Sequence, residues 1–347
     1  MGLVGDNGRP FATFQPSGNA DQQTLVSEFE IFRGDLAQVL FDLTKDNKQI
    51  KYVFGEQVAS MQQNEEEDTP VRVEFANGYP SAEFDLVVAC DGATSRTRAM
   101  GFGCGVRDHI KPLNCWGAYF TIQEDLLKGS KMALAWSTIG GRWLALGPDH
   151  SSDLNRVMMM GVHPRDNTDA TLPFREAMKQ GNDELKTYAY QHFKGAGWKT
   201  DEILEAMMIT DDFYASEIVQ VKMPSLYKGR FAVVGDAGYA AGPTGGGTSL
   251  AIAGAYILAG EVARHRGDLA AGLKAYEERM KPIVDDLQKI PPGMPTMMAP
   301  QTRWGIWLRN MLFWIVTSSG VLGWAGKFFS SAFGGDKYGL PEYEWVR

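Results

Sequence analysis

Cysteine and histidine are scarce in this chain of 347 residues. Its three cysteines, Cys90, Cys104 and Cys115, do not have the C-x-x-C spacing of a zinc or redox site. The five histidines form no H-E-x-x-H motif and no pair four residues apart. These absences argue against a metal site and against a secreted fold held together by disulfides. Because no signal peptide is recognisable at the N-terminus, we expect a reduced, cytoplasmic protein.

Positively charged residues are also fewer than negatively charged ones. The 34 Lys and Arg residues are outnumbered by 42 Asp and Glu, which gives a net charge of -8 and a pI near 5.3. Nucleic-acid binding depends on clustered Lys and Arg, so this balance argues against DNA or RNA as a partner. With 44% hydrophobic and 22% charged residues, the composition is that of a folded globular protein.

The chain also has no long stretch of uninterrupted apolar residues. The C-terminal stretch from Trp304 to Phe329 has 17 uncharged residues between Arg309 and Lys327, but polar residues and glycines interrupt it. A membrane-spanning helix needs about 20 predominantly apolar residues. We therefore predict that this stretch packs against the protein, with interfacial membrane contact as the less favoured alternative.

Two strand-and-turn motifs carry the chemical information. They run from Phe84 to Arg98 and from Arg230 to Glu261, and in each a buried strand ends at an Asp-Gly or Gly-Asp turn. In the second motif, the turn leads through the glycine-rich residues 243–247 into a helix of small residues. Backbone N–H groups at the start of such a helix bind phosphates and anionic rings. The structural alternative is that these glycines only allow close packing of strand and helix.

The first motif also has a purely structural interpretation. Gly92 can supply a positive φ, Ser95 can cap the following helix, and Arg98 can pair with Asp91, all without a ligand. A helix is predicted to start at Arg33, where an arginine is often an ordinary surface charge. Its apolar residues recur on one face of the helix: Leu36, Val39, Leu40 and Leu43.

Together the two motifs resemble those of the FAD-dependent aromatic hydroxylases, which are flavoprotein monooxygenases of the p-hydroxybenzoate hydroxylase and tetracycline-inactivating types. The D-G-x-x-S-x-x-R motif of that family is matched by residues 91–98, and its G-D-A and Pro-Gly loop by residues 235–247. The resemblance implies FAD as cofactor, NADPH as electron donor, and a small hydrophobic or aromatic substrate. The cofactor-binding residues that it implies are Arg33, Asp91, Gly92, Asp236, Pro243, Gly245, Gly246, Gly247, Thr248 and Ser249.

Within this set, the resemblance implies that Asp236 accepts a hydrogen bond from a ribityl hydroxyl and that the loop backbone at 245–247 faces the flavin ring. Thr248 and Ser249 are expected to be helix N-caps. No catalytic side chain is assigned, because in this family the cofactor performs the difficult chemistry. Aromatic side chains are candidate walls of a substrate pocket, with ordinary core packing as the alternative. They are Trp116, Tyr119, Phe120, Trp136, Trp143, Phe213, Tyr214 and Tyr239.

The sequence departs from the family at its start and in the glycine loop. No G-x-G-x-x-G opens the chain, so we expect the adenosine-binding half to be missing, by truncation or true loss, and FAD to be held weakly. The loop Pro243–Gly247 is about one residue shorter than P-x-x-G-x-G. We predict an FAD-dependent monooxygenase that hydroxylates or epoxidises an aromatic, polyketide- or terpenoid-like molecule. A flavin-free cyclase or isomerase and an inactive binding protein are the alternatives.

The order of patterns predicts an α/β protein. The resemblance implies that residues 1–107 and 229–290 form an FAD/NAD(P)-binding Rossmann-like domain, truncated at its N-terminus. Alternating apolar residues after position 110 predict an inserted antiparallel substrate domain at 108–228. Residues 291–347 are predicted to form a C-terminal helical segment.

Overall fold

The computed structural model describes residues 1–15, 31–63, 69–151, 153–164, 166–167, 169–290, 294–318 and 338–345. These residues form a mixed α/β fold. The strands are β1 (Gly2–Val4), β2 (Pro10–Thr13), β3 (Val58–Gln62), β4 (Val71–Phe75), β5 (Ala82–Phe84), β6 (Val87–Ala89), β7 (Ile110–Ile122), β8 (Leu134–Thr138), β9 (Arg142–Pro148), β10 (Asn155–Val162), β11 (Tyr214–Val221), β12 (Tyr227–Lys228) and β13 (Phe231–Val233). The helices are α1 (Arg33–Asp42), α2 (Arg96–Phe102), α3 (Leu172–Gln180), α4 (Asn182–Phe193), α5 (Thr200–Ile209), α6 (Asp236–Tyr239), α7 (Gly247–Arg264), α8 (Leu269–Leu287), α9 (Met294–Met298) and α10 (Arg303–Ser318).

A mostly antiparallel sheet forms the largest layer, with strand order β11-β7-β10-β9-β8-β1-β2. Residues of opposite parity on β7 point to opposite faces of this sheet. On one face, Trp116 packs beneath α3 and α4, where its ring stacks on Phe174 at a centroid distance of 5.3 Å. On the other face, Cys115 lies in a smaller apolar cluster with Trp143 and Met160. Helices α3–α5 therefore cover the first face, whereas the chain at α9 and α10 packs on part of the second.

A second unit is built on parallel pairing of β6 with β13, flanked by β12. Helices α7 and α8 supply the apolar residues that cover it, including Leu273 and Tyr276. The Tyr276 hydroxyl donates to the Val233 carbonyl over 2.8 Å. Glycine allows a close approach at position 254, where an added Cβ would lie 1.8 Å from the Tyr239 hydroxyl oxygen. This packing fixes α7 directly against the chain that follows β13.

The helix predicted at Arg33 is present as α1, and its apolar face is exposed. No side chain of α1 is buried, and Val39, Leu40 and Leu43 are 50%, 50% and 76% exposed. Periodicity identifies an apolar face of a helix without showing what covers it. Within the described ranges, nothing buries this face.

The C-terminal stretch is helical from Arg303 to Ser318, as α10. One side of α10 lies on the large sheet, where the Phe313 and Phe14 rings meet edge to face at 5.7 Å. Residues 319–329 of the stretch singled out in the sequence lie outside the described residues. Among the residues that are described, no helix is both long and apolar enough to cross a bilayer.

Residues 338–345 lie along α7 and α8. The Tyr343 hydroxyl donates to the buried Glu261 carboxylate over 2.8 Å, and the Arg279 Nε lies 2.5 Å from the same carboxylate. An added Cβ at Gly260 would lie 2.1 Å from the Tyr343 ring. This tail is therefore built into the packing around α7.

The strand pairing corrects one assignment from the sequence. Residues 1–107 were assigned together to the cofactor domain, yet β1 pairs with β2 and, in parallel, with β8 of the large sheet. A three-residue strand carries no local signal of a partner more than 100 residues away. The boundaries at 107, 228 and 290 otherwise remain predictions.

Candidate functional site

The two sequence motifs meet at one edge of the parallel pair. Val87 lies beside Phe231 and Ala89 beside Val233, so β6 and β13 end at the same level. The Val234 N–H donates to the Ala89 carbonyl over 3.0 Å and extends this pairing beyond the strands. Ligands of α/β sheets bind in the crevice beyond the carboxyl ends of such strands. The fold therefore places both turns where a cofactor site is expected.

The turn after β6 satisfies its own hydrogen bonds. Gly92 has φ +86°, and the Ser95 hydroxyl caps α2 by accepting from the Arg98 N–H. The Asp91 carboxylate accepts from the Ser95 hydroxyl and from the Thr97 N–H. The structural interpretation of this motif therefore accounts for these contacts. Participation of Asp91 and Gly92 in cofactor binding remains a prediction.

Arg98 links the two motifs. Its side chain is fully buried, and three carbonyl oxygens accept its hydrogen bonds: Ala93 at 3.0 Å, Ala237 at 2.8 Å and Val106 at 2.7 Å. These partners replace the pairing with Asp91 that the sequence suggested. Burial lowers the pKa of Arg98. Because Ala237 follows Asp236 directly, Arg98 sets the position of the second turn relative to the first.

The second turn presents Asp236 and gathers charged and aromatic side chains around it. Gly235 has φ +65°, and Asp236 begins α6. The Asp236 carboxylate is reached by solvent but enclosed by protein on several sides. Burial raises its pKa, and the charge of Arg33 partly opposes this rise. The same arginine opposes the increase that burial causes in the pKa of Tyr119. Its guanidinium carbon also lies 5.8 Å from the Tyr214 ring centroid.

The glycine loop leads from this turn into α7. Gly245 has φ +78°, and the helix begins at Gly247 after Gly246, with no side-chain cap. The prediction that Thr248 and Ser249 cap the helix is wrong, because both lie in its first turn, exposed. A Cβ built on Gly247 would lie 3.9 Å from an Asp236 carboxylate oxygen. The start of α7 and the carboxylate therefore face one space.

Thr244 is a feature that the sequence did not single out. Its hydroxyl oxygen is buried, and no group in the described part of the chain hydrogen-bonds to it. Burial of an unpaired hydroxyl is unfavourable, so such an oxygen marks a place for a ligand or water. A helix start without a side-chain cap similarly leaves backbone N–H donors free for an anionic or electron-rich group. The loop, Thr244, Asp236 and Arg33 together fit the polar ring edge and ribityl hydroxyls of a flavin.

Most of the aromatic residues proposed as pocket walls are core residues. Trp116, Phe120, Trp136 and Phe213 are buried on the face that α3–α5 cover. Tyr239 is buried in the unit formed by β6, β13, α7 and α8. Tyr119 and Tyr214 are exposed near Arg33, with ring centroids 6.4 Å apart. Trp143 lies on their side of the sheet, in its apolar cluster. Tyr214 of this pair contacts Arg33, so the pair is the exposed part of the proposed pocket walls that lies beside the candidate site.

Two cavities lie elsewhere. One, of about 520 Å³, is lined in part by Met61, Arg72 and Phe231 and is at the amino-terminal end of β13. The other, of about 330 Å³, is lined in part by Leu308 and Phe313 of α10. Neither cavity is lined by Asp236 or by the glycine loop. In the described ranges, no cluster of three or more His, Cys, Asp or Glu side chains could hold a metal ion.

A histidine pair on the helix-covered side of the large sheet also escaped sequence analysis. The His163 and His192 ring centroids are 5.5 Å apart, and the Trp116 ring lies 5.3 Å from that of His192. Burial, with smaller effects from His163 and Arg142, lowers the pKa of His192 to about 4. Burial also lowers the pKa of His163. These rings are distant from the two motifs along the chain and form part of the packing.

Comparison with known proteins identifies the family. The FAD binding domain family matches residues 33–289. A monooxygenase of Cercospora beticola, CTB7, is 31% identical over 99% of this chain and 81% of its own length. The FAD-dependent monooxygenase asL4 of Sarocladium schorii is 32% identical over 90% of this chain and 75% of its own length. The crystal structure of tetracycline destructase Tet(51) superimposes with a TM-score of 0.70 at 28% identity, covering 92% of this chain and 77% of that one. The chain therefore belongs to the FAD-dependent monooxygenases of the aromatic hydroxylase type.

Proposed function

We propose that this monooxygenase takes electrons from NADPH and uses dioxygen to hydroxylate or epoxidise a small aromatic, polyketide- or terpenoid-like molecule. The exposed rings of Tyr119 and Tyr214 beside Arg33 support an aromatic or otherwise unsaturated substrate. One structural neighbour is named as a destructase of tetracycline. Membership of an FAD-binding family favours this activity over a flavin-free cyclase or a binding protein. The free thiols of Cys90, Cys104 and Cys115 suit a cytoplasmic setting.

In the mechanism that we propose, the protein holds and orients reactants. Bound FAD supplies the redox chemistry, which is electron transfer from the nicotinamide and activation of dioxygen. Asp236 accepts a hydrogen bond from a ribityl hydroxyl, and the backbone of Gly245–Gly247 donates to the ring edge. Arg33 stabilises negative charge beside them and opposes the rise that burial causes in the pKa of Asp236. Tyr119 and Tyr214 orient the substrate ring.

We also propose which part of the fold holds each reactant. The unit of β6, β13, α7 and α8 holds the cofactor, and the large sheet holds the substrate on the face that bears Tyr119. Asp91 and Gly92 approach the cofactor from the neighbouring strand end. The affinity of these residues for FAD is measured by titrating the purified chain with FAD.

The observation that carries this proposal is the unpaired Thr244 hydroxyl beside the uncapped start of α7. Thr244→Val preserves side-chain shape and removes the buried oxygen. We expect the apoprotein to become more stable, by about 1 kcal/mol, while FAD binding weakens. Thermal unfolding with and without FAD measures both effects. The exposed Thr187→Val on α4 is the control and should change neither. Unchanged FAD affinity in Thr244→Val would show that the hydroxyl does not contact the cofactor.

Asp236→Ala tests the family-derived role of the carboxylate. Loss of a charge-assisted hydrogen bond is expected to weaken FAD binding by ~1.5–3 kcal/mol, or roughly 10- to 150-fold, with the fold retained. Quenching of flavin fluorescence during titration gives the affinity. Asp285→Ala, an exposed aspartate on α8, is the matched control. Parental affinity in Asp236→Ala would rule out this placement, and an unfolded variant would indicate a packing role. NADPH oxidation and oxygen uptake by the FAD-loaded parent then test the activity with aromatic substrates.

A further inference from the structure

Helix α10 exposes many of its apolar side chains and buries Arg309, one of its two arginines. Trp304, Trp307 and Trp314 are 74%, 55% and 57% exposed. Leu308, Leu312 and Ile315 are exposed between them. At 100° per residue, these six side chains fall on one continuous arc of the helix. Arg309, on the opposite side, is buried. A helix covering a globular core has the reverse arrangement.

The inward side of α10 is fixed by specific contacts. The Arg309 guanidinium donates to the Ser137 hydroxyl over 2.6 Å and to the Met298 carbonyl over 2.9 Å. Burial lowers its pKa to about 10, so it remains charged at neutral pH. Phe313 packs on Phe14 from the same side. Rotation of the helix to hide its tryptophans would break these contacts and expose others. The outward orientation of the apolar arc is therefore a property of the fold.

An exposed apolar arc of this size marks an interaction surface. Its composition favours lipid, because Trp prefers the boundary between hydrocarbon and headgroups. Three of the nine tryptophans in the chain lie on this single helix and face outward. Helices that lie in this boundary carry Trp and Leu on the face that enters the membrane. α10 has 16 residues, which suits a helix lying on the surface better than one that crosses it.

The charge distribution in the sequence specifies the kind of lipid. The chain has 42 Asp and Glu, yet residues 287–335 contain neither, whereas Lys289, Arg303, Arg309 and Lys327 fall within that range. Arg309 is buried on the inward side of α10 and Lys289 pairs with Asp286, so the exposed Arg303 at the start of α10 is the described cation placed to meet a lipid surface. This region is thus positive in a protein with a net charge of -8. An anionic membrane attracts such a region and repels the rest of the protein. The attraction would direct α10 toward the bilayer.

We propose that the outward face of α10 binds the surface of an anionic lipid bilayer, with the helix lying in the headgroup region. The proposal does not depend on the substrate or on bound flavin. A flotation assay with phosphatidylcholine vesicles containing about 30 mol% phosphatidylserine tests it directly. The full chain should float with these vesicles and much less with pure phosphatidylcholine. Its tryptophan fluorescence should shift to the blue and be quenched by brominated phosphatidylcholine. A carbonate wash should release the protein.

Matched double variants make the test specific. Trp307→Glu with Trp314→Glu should reduce the vesicle-bound fraction at least tenfold, an order-of-magnitude expectation from lost insertion and added repulsion. Leu43→Glu with Phe54→Glu adds the same charge at exposed apolar positions outside α10 and should bind like the parent. Thermal unfolding checks that both variants are folded.

The experiments would give different results if protein, and not lipid, covered the outward face of α10. If a second copy covers it, the parent will self-associate without lipid, the α10 variant will be monomeric, and neither will float. If another part of the same chain covers it, the lipid-free parent will be monomeric and will not float. Either result overturns the proposal. Equal binding to neutral vesicles, or retention after a carbonate wash, overturns the assignment to an anionic surface.

Discussion

Arg98→Met is expected to destabilise the protein by roughly 2–4 kcal/mol and to weaken FAD binding with it. Arg98 supplies hydrogen bonds to three carbonyl oxygens on two different segments, and its side chain is fully buried. Methionine fills a similar volume without donors and leaves those oxygens unpaired. The Ala237 carbonyl is among them, so the Asp236 turn should loosen. Urea unfolding of the apoprotein and FAD titration measure the two losses separately.

Arg96→Met provides the control for this substitution. Arg96 lies two residues away at the start of α2 and is exposed, so its replacement should alter stability by less than about 0.5 kcal/mol. Arg98→Lys should behave much like Arg98→Met, because one ammonium group on a flexible stem cannot reproduce the planar set of donors. Parental stability in Arg98→Met would contradict the role assigned to this residue.

Mild acid is expected to destabilise the protein through His192. The pKa of this histidine is lowered by burial to about 4 in the folded state, against 6.5 for an ordinary histidine. Between these values the unfolded chain binds a proton that the folded chain excludes, so stability rises with pH across the window. It is at its full value above about pH 6.5 and is lost as the pH falls toward 4. The loss should reach roughly 2 kcal/mol by pH 5 and about 3 kcal/mol by pH 4.

Urea unfolding midpoints from pH 7.5 to 4.5 test this expectation. His192→Phe should flatten the profile, since an aromatic ring can pack against Trp116 and Tyr188 without titrating. Part of the slope should persist, because burial also lowers the pKa of the neighbouring His163. Arg142 adds positive charge near the pair and makes protonation less favourable still. The exposed His150→Gln should retain the parental profile. A parental slope in His192→Phe would assign the acid sensitivity elsewhere.

The sequence predicted features whose information is local. The strand, turn and helix of residues 84–98 are specified by a short apolar run, a glycine at positive φ and a capping serine. Alternating residues predicted the antiparallel sheet that contains β7. The alternation did not indicate which face of that sheet α3–α5 cover, so both Trp116 and Tyr119 were candidates for the pocket. The family of the chain was predicted correctly from two motifs that are each continuous in sequence.

Features that depend on distant segments were not predicted. Leu40 and Leu43 follow a helical period, but the period says nothing about the partner, and both are exposed. The His163–His192 contact joins two elements with no shared pattern. The burial of the Thr244 hydroxyl was not predicted either. The local sequence Pro-Thr-Gly does not show whether the hydroxyl oxygen is exposed to water in the folded chain. The cofactor assignments derived from the family remain to be tested by the FAD titrations described above.

The parallel pairing of β6 with β13 has a consequence for biosynthesis. Val87 lies beside Phe231, so 144 residues must be synthesised after the first strand before its neighbour exists. At typical elongation rates this interval is roughly 7–30 s. Through that time the nascent chain exposes the apolar strand Val87–Ala89 without its partner, a condition that favours aggregation. Slower synthesis prolongs the exposure, whereas chaperones that bind short apolar segments shield it. Recombinant yield should therefore respond more to chaperone supply than to codon-level slowing of translation.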